Sequence, residues 1–135
     1  MSYLTLSTLA LAVLLAGCAT AVNPSLPPTV AVAEVAYLPT LPRGARLVVT
    51  HPVVCRDAGM GMAKGYDTNG NGDYDVAELW REGMRLAILY YDALTEQQVT
   101  HAYVQEGTKV VRYTREALLA RYPNMCDLMA APRAT

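Results

Sequence analysis

The sequence predicts a mainly α fold, a small helical lobe over residues 47–135 set behind an apolar N-terminal segment and a proline-rich tether. Three observations predict it. Val76, Leu79, Trp80, Gly83, Met84, Ala87, Ile88 and Tyr91 recur at steps of three and one, the spacing of a single helical face. Two stretches carry helix-start chemistry: Asp75-x-x-Glu78 sets an aspartate cap three residues before a glutamate, and Thr95-Glu96-Gln97-Gln98 repeats the arrangement. Gly107 and Pro123 then fall where later segments would have to stop.

The chain opens with an uncharged apolar run, Leu4–Ala16. It is shorter than the roughly 20 residues a spanning helix needs, and small residues close it, which marks a secretory signal peptide. Its end, Leu15-Ala16-Gly17-Cys18, resembles the bacterial lipobox. That resemblance implies that residues 1–17 are a lipoprotein signal peptide and that Cys18 is the lipidated first residue of the mature chain. The protein would then be held at a membrane without spanning it. Ala19 rather than Asp after Cys18 implies an outer-membrane lipoprotein facing the periplasm. An ordinary signal peptide with an incidental cysteine is the alternative. Residues 18–46 carry Pro24, Pro27, Pro28, Pro39 and Pro42 without helical periodicity, the composition of an extended tether. Within it, Val30, Val32 and Val35 suit either a short edge strand or an alanine-rich turn.

Four helices and a strand are expected after the tether. The first helix, about Pro52 to Tyr66, is the weakest, since Gly59, Gly61 and Gly65 each cost roughly 1 kcal/mol relative to Ala. The second runs from Val76 to Tyr91 and the third from Thr95 to about Val104. A short strand, Thr108–Tyr113, and a final helix, Thr114–Tyr122, complete the set. With Cys18 assigned to lipid, Cys55 and Cys126 remain as a pair in an oxidising compartment, and a disulfide is the natural reading; two free buried thiols are the alternative.

The chemistry concentrates in Asp67-Thr68-Asn69-Gly70-Asn71-Gly72-Asp73-Tyr74-Asp75-Val76-Ala77-Glu78. Calcium takes six to eight oxygen ligands, and side-chain oxygens at alternate positions of a short loop supply them. Asp67, Asn69 and Asn71 stand first, third and fifth, and Gly72 sits at the sharp sixth-position turn. Asp73 would contribute its backbone carbonyl, Asp75 would act through a water, and Glu78 would bind with both oxygens.

These twelve residues resemble the EF-hand calcium loop at every ligand position. The resemblance implies Ca²⁺ as the bound ion and helices on both sides of the loop. It also implies a paired second hand. The stretch with Glu106, Thr108, Val110, Thr114 and Ala117 at the ligand positions matches one that has lost most of its ligands. In a paired lobe a Cys55–Cys126 bridge would staple the first helix to the last. Two neutral ligands, Asn69 and Asn71, imply weak affinity, about 10⁻⁵ to 10⁻³ M. Glu78→Gln is expected to weaken binding most and Asp73→Asn least.

Other classes are disfavoured. A net charge of −1 offers no basic field for nucleic acid. His51 and His101 lack the spacing of a zinc hydrolase, and no activated nucleophile or phosphate loop is visible, so no enzyme is expected. Two functions remain: a calcium-binding, lipid-anchored envelope protein with one working EF-hand, or a structural lipoprotein. In the second, the calcium site is incidental and an apolar helix surface binds an envelope partner.

Overall fold

A computed structural model of the chain describes residues 31–92 and 98–131. The chain divides into two units, residues 1–30 and 31–135, and the description concerns the second. Cys18, the signal peptide and the predicted helix start at Thr95–Gln97 lie outside the described residues.

The expected mainly α lobe is replaced by an antiparallel sheet. Seven strands, β1 (Val32–Val35), β2 (Arg46–Cys55), β3 (Gly59–Asp67), β4 (Val76–Arg81), β5 (Met84–Tyr91), β6 (Val99–Glu106) and β7 (Lys109–Thr114), precede two short helices, α1 (Arg115–Arg121) and α2 (Met125–Met129). The strand order is β1-β7-β6-β5-β4-β3-β2. From β2 to β7 the chain is an uninterrupted meander, and β1 closes the far edge by pairing with β7. That edge strand lies inside the segment read as tether, at the position where Val32 and Val35 allowed one.

The predicted 76–91 helix is two strands, and the reason is local. Arg81 pairs with Met84 across Glu82 and Gly83, whose φ angles of 53° and 76° are both positive. A two-residue turn of that kind matches the right-handed twist of the strands it joins. Glycine adopts such angles without a Cβ penalty. The three-and-one spacing arises because Val76, Ala77, Glu78 and Leu79 are all buried, as are Leu86, Ala87, Ile88 and Leu89. Strands covered on both faces show continuous runs instead of alternation, and such runs satisfy a helical template as well as any other. The predicted 52–66 helix is likewise the end of β2, a turn and β3. Within the third predicted helix, residues 99–104 belong to β6. The degenerate second hand is the β6–β7 hairpin, turning at Gly107 with φ 66°. The last strand and helix agree with expectation: β7 is followed by α1, capped by Thr114, whose side chain accepts from the Ala117 amide.

Register assigns each side chain to a face, because residues directly opposite in an antiparallel pair lie on the same side. One row reads Ala63–Leu79–Ala87–Val104–Val111 across β3 to β7. Leu79, Ala87, Val104 and Val111 join Leu118, Tyr122, Leu128 and Met129 of the helical tail in one core. The adjacent row reads Lys64–Glu78–Ile88–Tyr103–Arg112 and forms the opposite, polar and aromatic face. Burying the side chains of Leu79, Ile88, Met129 and Val104 contributes about 1.5–3 kcal/mol each.

The helical tail sits tightly on the sheet. A Cβ added at Gly61 would come within 2.6 Å of Met129 Sδ, so this glycine admits the α2 methionine against β3. Cys55, at the end of β2, and Cys126, on α2, stand at disulfide distance with a Cα–Cα separation of 5.6 Å. The link fastens the tail to the outer strand of the meander, in place of the helix-to-helix staple expected for an EF-hand lobe. The hydroxyls of Tyr113 and Tyr122 both donate to Glu106 Oε2, with the rings edge to face at 5.8 Å, and fix the end of α1 to the β6–β7 hairpin. Burial and the Glu106 carboxylate raise both phenolic pKa values.

Candidate metal centre

The oxygen-rich stretch forms the loop between β3 and β4, so strands, not helices, flank it. The helix–loop–helix frame of an EF-hand is absent here. Asp67 ends β3, Thr68–Asp75 make the excursion, and the Asp75 amide returns by donating to the Tyr66 carbonyl at 2.9 Å. The Asp75 carbonyl accepts from the Tyr91 amide at 2.9 Å, which ties the loop's last residue to β5 as well. Tyr74 supplies a third anchor. Its ring lies against Gly65, where an added Cβ would sit 2.9 Å from Tyr74 Cγ, and meets Tyr91 edge to face at 5.2 Å. Burial, with the Tyr74 hydroxyl adding to it, pushes the Tyr91 hydroxyl up to about 12.

Inside the loop the Asx side chains fold onto the backbone at alternate positions. Asp67 Oδ1 accepts from the amides of Asn69 at 3.1 Å and Gly70 at 2.8 Å, and Oδ2 accepts from Gly72 at 2.8 Å. Asn69 Oδ1 accepts from the Asn71 amide at 3.1 Å, and Asn71 Oδ1 from the Asp73 amide at 2.9 Å. Asp75 accepts from the Thr68 amide at 2.7 Å and also from the Thr68 hydroxyl. The repeat follows from sequence, because Asp and Asn carbonyls reach an amide two residues on. The positive φ angles at Gly70 (80°) and Gly72 (92°) let the chain curl between them. The Asp67 side chain is almost fully buried, with the Arg46 guanidinium 3.8 Å away. The Gly72 amide first, then those of Gly70, Asn69 and Asn71, lower its pKa against the opposing effect of burial, so it is held as a carboxylate.

This arrangement brings together five of the six predicted metal residues: Asp67, Asn69, Asn71, Asp73 and Asp75 share one loop linked by its own hydrogen bonds. Glu78 lies elsewhere. It is the third residue of β4, only 4% exposed, on the polar face. Its Oε1 accepts from the Tyr66 hydroxyl and the Trp80 indole, each at 2.9 Å, and its Oε2 from Arg85 at 3.1 Å. Tyr66 is raised above its ordinary pKa by burial first and by its bond to Glu78 second. Among the described residues, no three His, Cys, Asp or Glu side chains gather into a metal-holding group. A cation held in the loop would have two carboxylates to meet, Asp67 and Asp75, with the amide oxygens of Asn69 and Asn71.

Sequence reading missed the surroundings of Glu78. Lys64 Nζ lies 4.7 Å from the centre of the Trp80 ring, and the Tyr90 and His101 rings stack at 4.5 Å with an interplanar angle of 4°. Tyr103 meets both rings edge to face. Burial first, then Arg112, lowers the His101 pKa below its ordinary value. Once strands were assigned, the alternation Lys64/Tyr66 and Glu78/Trp80 would have placed these four groups on one face. No family model matches this chain, and no curated protein or solved structure shows significant similarity to it.

Proposed function

We propose that the protein is an exported, lipid-anchored calcium-binding protein whose ion sits in the β3–β4 hairpin loop. One observation carries the reading: Asp67, Asn69 and Asn71 fold by the same hydrogen bond to the second following amide, which sets three side-chain oxygens in a regular series beside Asp75. Each of these oxygens has two acceptor lone pairs. Asn69 and Asn71 spend one apiece on the loop, and Asp75 spends one on each carboxylate oxygen, so each keeps capacity for a hard cation. Asp67 is held ionised by the loop amides and supplies the negative charge beside these oxygens, with Arg46 at 3.8 Å from Oδ2 as the group a cation would compete with.

The donor set suits calcium better than a transition metal, because it is all oxygen and part neutral. With Glu78 engaged by Arg85, the loop has no bidentate closing carboxylate. Affinity then falls at the weak end, about 10⁻⁴ to 10⁻³ M, the range of extracellular sites. That range fits a compartment reached by a signal peptide and a lipidated Cys18. The ion's role in this reading is to clamp a loop that already anchors β3, β4 and β5.

The test is calorimetry on residues 31–135. Every strand and both helices of the described residues lie within that span, so it retains the contacts described above. Calcium heat that saturates in the millimolar range and is lost in Asp75→Asn, with Asp73→Asn close to the parent, supports the reading. No calcium heat at millimolar metal removes it. The helix expected to carry the alternative partner surface is β4 and β5, where Val76, Leu79, Leu86, Ile88 and Leu89 are buried in the sheet.

A further inference from the structure

We propose that β2 is the interface through which two copies of this chain pair, edge to edge and antiparallel, about a two-fold axis. The two edges of the sheet differ sharply. β1 is four residues long and carries Glu34, and short edges with a charge repel strand addition. β2 is ten residues long and exposed over most of its length. Between Leu47 and Cys55 it carries no Asp, Glu, Lys or Arg. Of nine large apolar side chains exposed among the described residues, Leu47, Val48, Val49 and Val54 lie on this one strand. A fifth, Met60, is directly opposite Val54 on β3, and the two are 67% and 71% exposed.

The occupant follows from what an open edge offers. The outer side of β2 presents backbone amides and carbonyls that no described strand takes up. Lipid satisfies none of them, whereas another strand satisfies them in register. A second β2 is the strand whose chemistry matches. A two-fold normal to the sheet keeps each side chain on its own face, so full antiparallel overlap centres the axis at His51, sets Val49 of one copy opposite Val53 of the other and Leu47 opposite Val54, apolar against apolar, and leaves Val48 at the bulge. The single strong charge, Arg46, then sits at opposite ends of the two strands; a parallel arrangement would set the two guanidinium groups side by side. The bulge between Leu47 and Val49 and the missing donor at Pro52 shorten the ladder without removing it. Pairing of the same patch on both copies closes on itself and leaves only the short, charged β1 edges outside, so assembly stops at two.

Sedimentation equilibrium on residues 31–135 tests this over a range from about 10 to 200 µM. A monomer–dimer equilibrium is expected. Val54→Lys, which sets an ammonium against the partner's Leu47, and Thr50→Glu, which sets two carboxylates either side of the axis, should each raise the dimer Kd at least about tenfold. Both sites are exposed in the single chain, and Thr50 lies opposite Lys64 on β3, where an acid is favourable, so circular dichroism should match the parent and the unfolding midpoint at low concentration should not fall. Leu119→Lys, exposed on α1, should leave the equilibrium unchanged. A monomer throughout, a dimer indifferent to both β2 substitutions, or assemblies that keep growing with concentration would each overturn the proposal.

Discussion

Glu78→Gln separates two uses of the same carboxylate. In an EF-hand this residue closes the ion's coordination, and its loss would abolish calcium binding while sparing the apo fold. In the hairpin it accepts three hydrogen bonds on the polar face and neutralises Arg85. The glutamine oxygen can keep the Tyr66 and Trp80 donors, but its amide nitrogen then meets the guanidinium donor to donor. Arg85, with a side chain 19% exposed, loses its countercharge. Breaking a fully buried pair costs about 3–5 kcal/mol; partial access of Arg85 to water brings the expectation to about 2–3 kcal/mol. For a domain of this size that corresponds to a fall in Tm of roughly 8–20 °C. Urea unfolding of residues 31–135 reads the first quantity and a thermal scan the second. Arg85→Met should cost less on the Glu78→Gln background than alone, since the two groups are coupled. A variant within about 0.5 kcal/mol of the parent that has nonetheless lost calcium binding would refute the reasoning and return Glu78 to the ion.

Two further outcomes follow from other contacts, and a third from the proposed lipidation of Cys18. Replacing Cys55 and Cys126 with Ser reopens a sequence separation of 71 residues, for which chain entropy gives about 4 kcal/mol; equal stability of oxidised parent and double variant in urea would contradict it. His101, whose folded pKa lies below its ordinary 6.5, contributes stability that is complete above pH 6.5 and is lost as pH falls from there through the folded value. His101→Phe should therefore unfold with a flatter dependence between pH 7 and 5 than the parent, and identical slopes would count against burial of the neutral ring. Cys18→Ser in the full chain should leave the protein unlipidated and extractable from membranes without detergent, as fractionation and intact mass would show.

What the sequence made legible was mostly what depends on neighbours along the chain. Thr114 caps α1 because a threonine side chain reaches the amide three residues on, and that holds in any fold. The Lys109–Thr114 strand was legible for a similar reason, being short, β-branched and bracketed by Gly107 and a helix cap. The long strands were not. In β4 and β5 two-sided burial erased the alternation that identifies a strand, and Gly83 read as one more position of a helical face although, with Glu82, it made the turn between two strands. Gly59, Gly61 and Gly65 read as defects in a helix. In the sheet, Gly59 turns the β2–β3 hairpin with φ 81°, Gly61 admits Met129 and Gly65 admits Tyr74.

The loop shows which contacts follow from neighbouring residues and which depend on the fold. From Asp67 to Asp75 the side-chain hydrogen bonds of the Asx residues are local, each within five residues or across the loop's own closure, so this series follows from the loop's own sequence. Glu78 is different. A residue three positions past the loop returns toward it only if the chain turns back at 3.6 residues per turn. An extended strand carries the same residue about 10 Å onward and fixes its face by alternation. Alternation in β4 directs Glu78 to the side where Tyr66, Trp80 and Arg85 converge, and there the carboxylate binds protein donors. The same twelve residues therefore divide into two parts: a nine-residue loop, the proposed cation site, and a buried acid that holds the polar face of the sheet together.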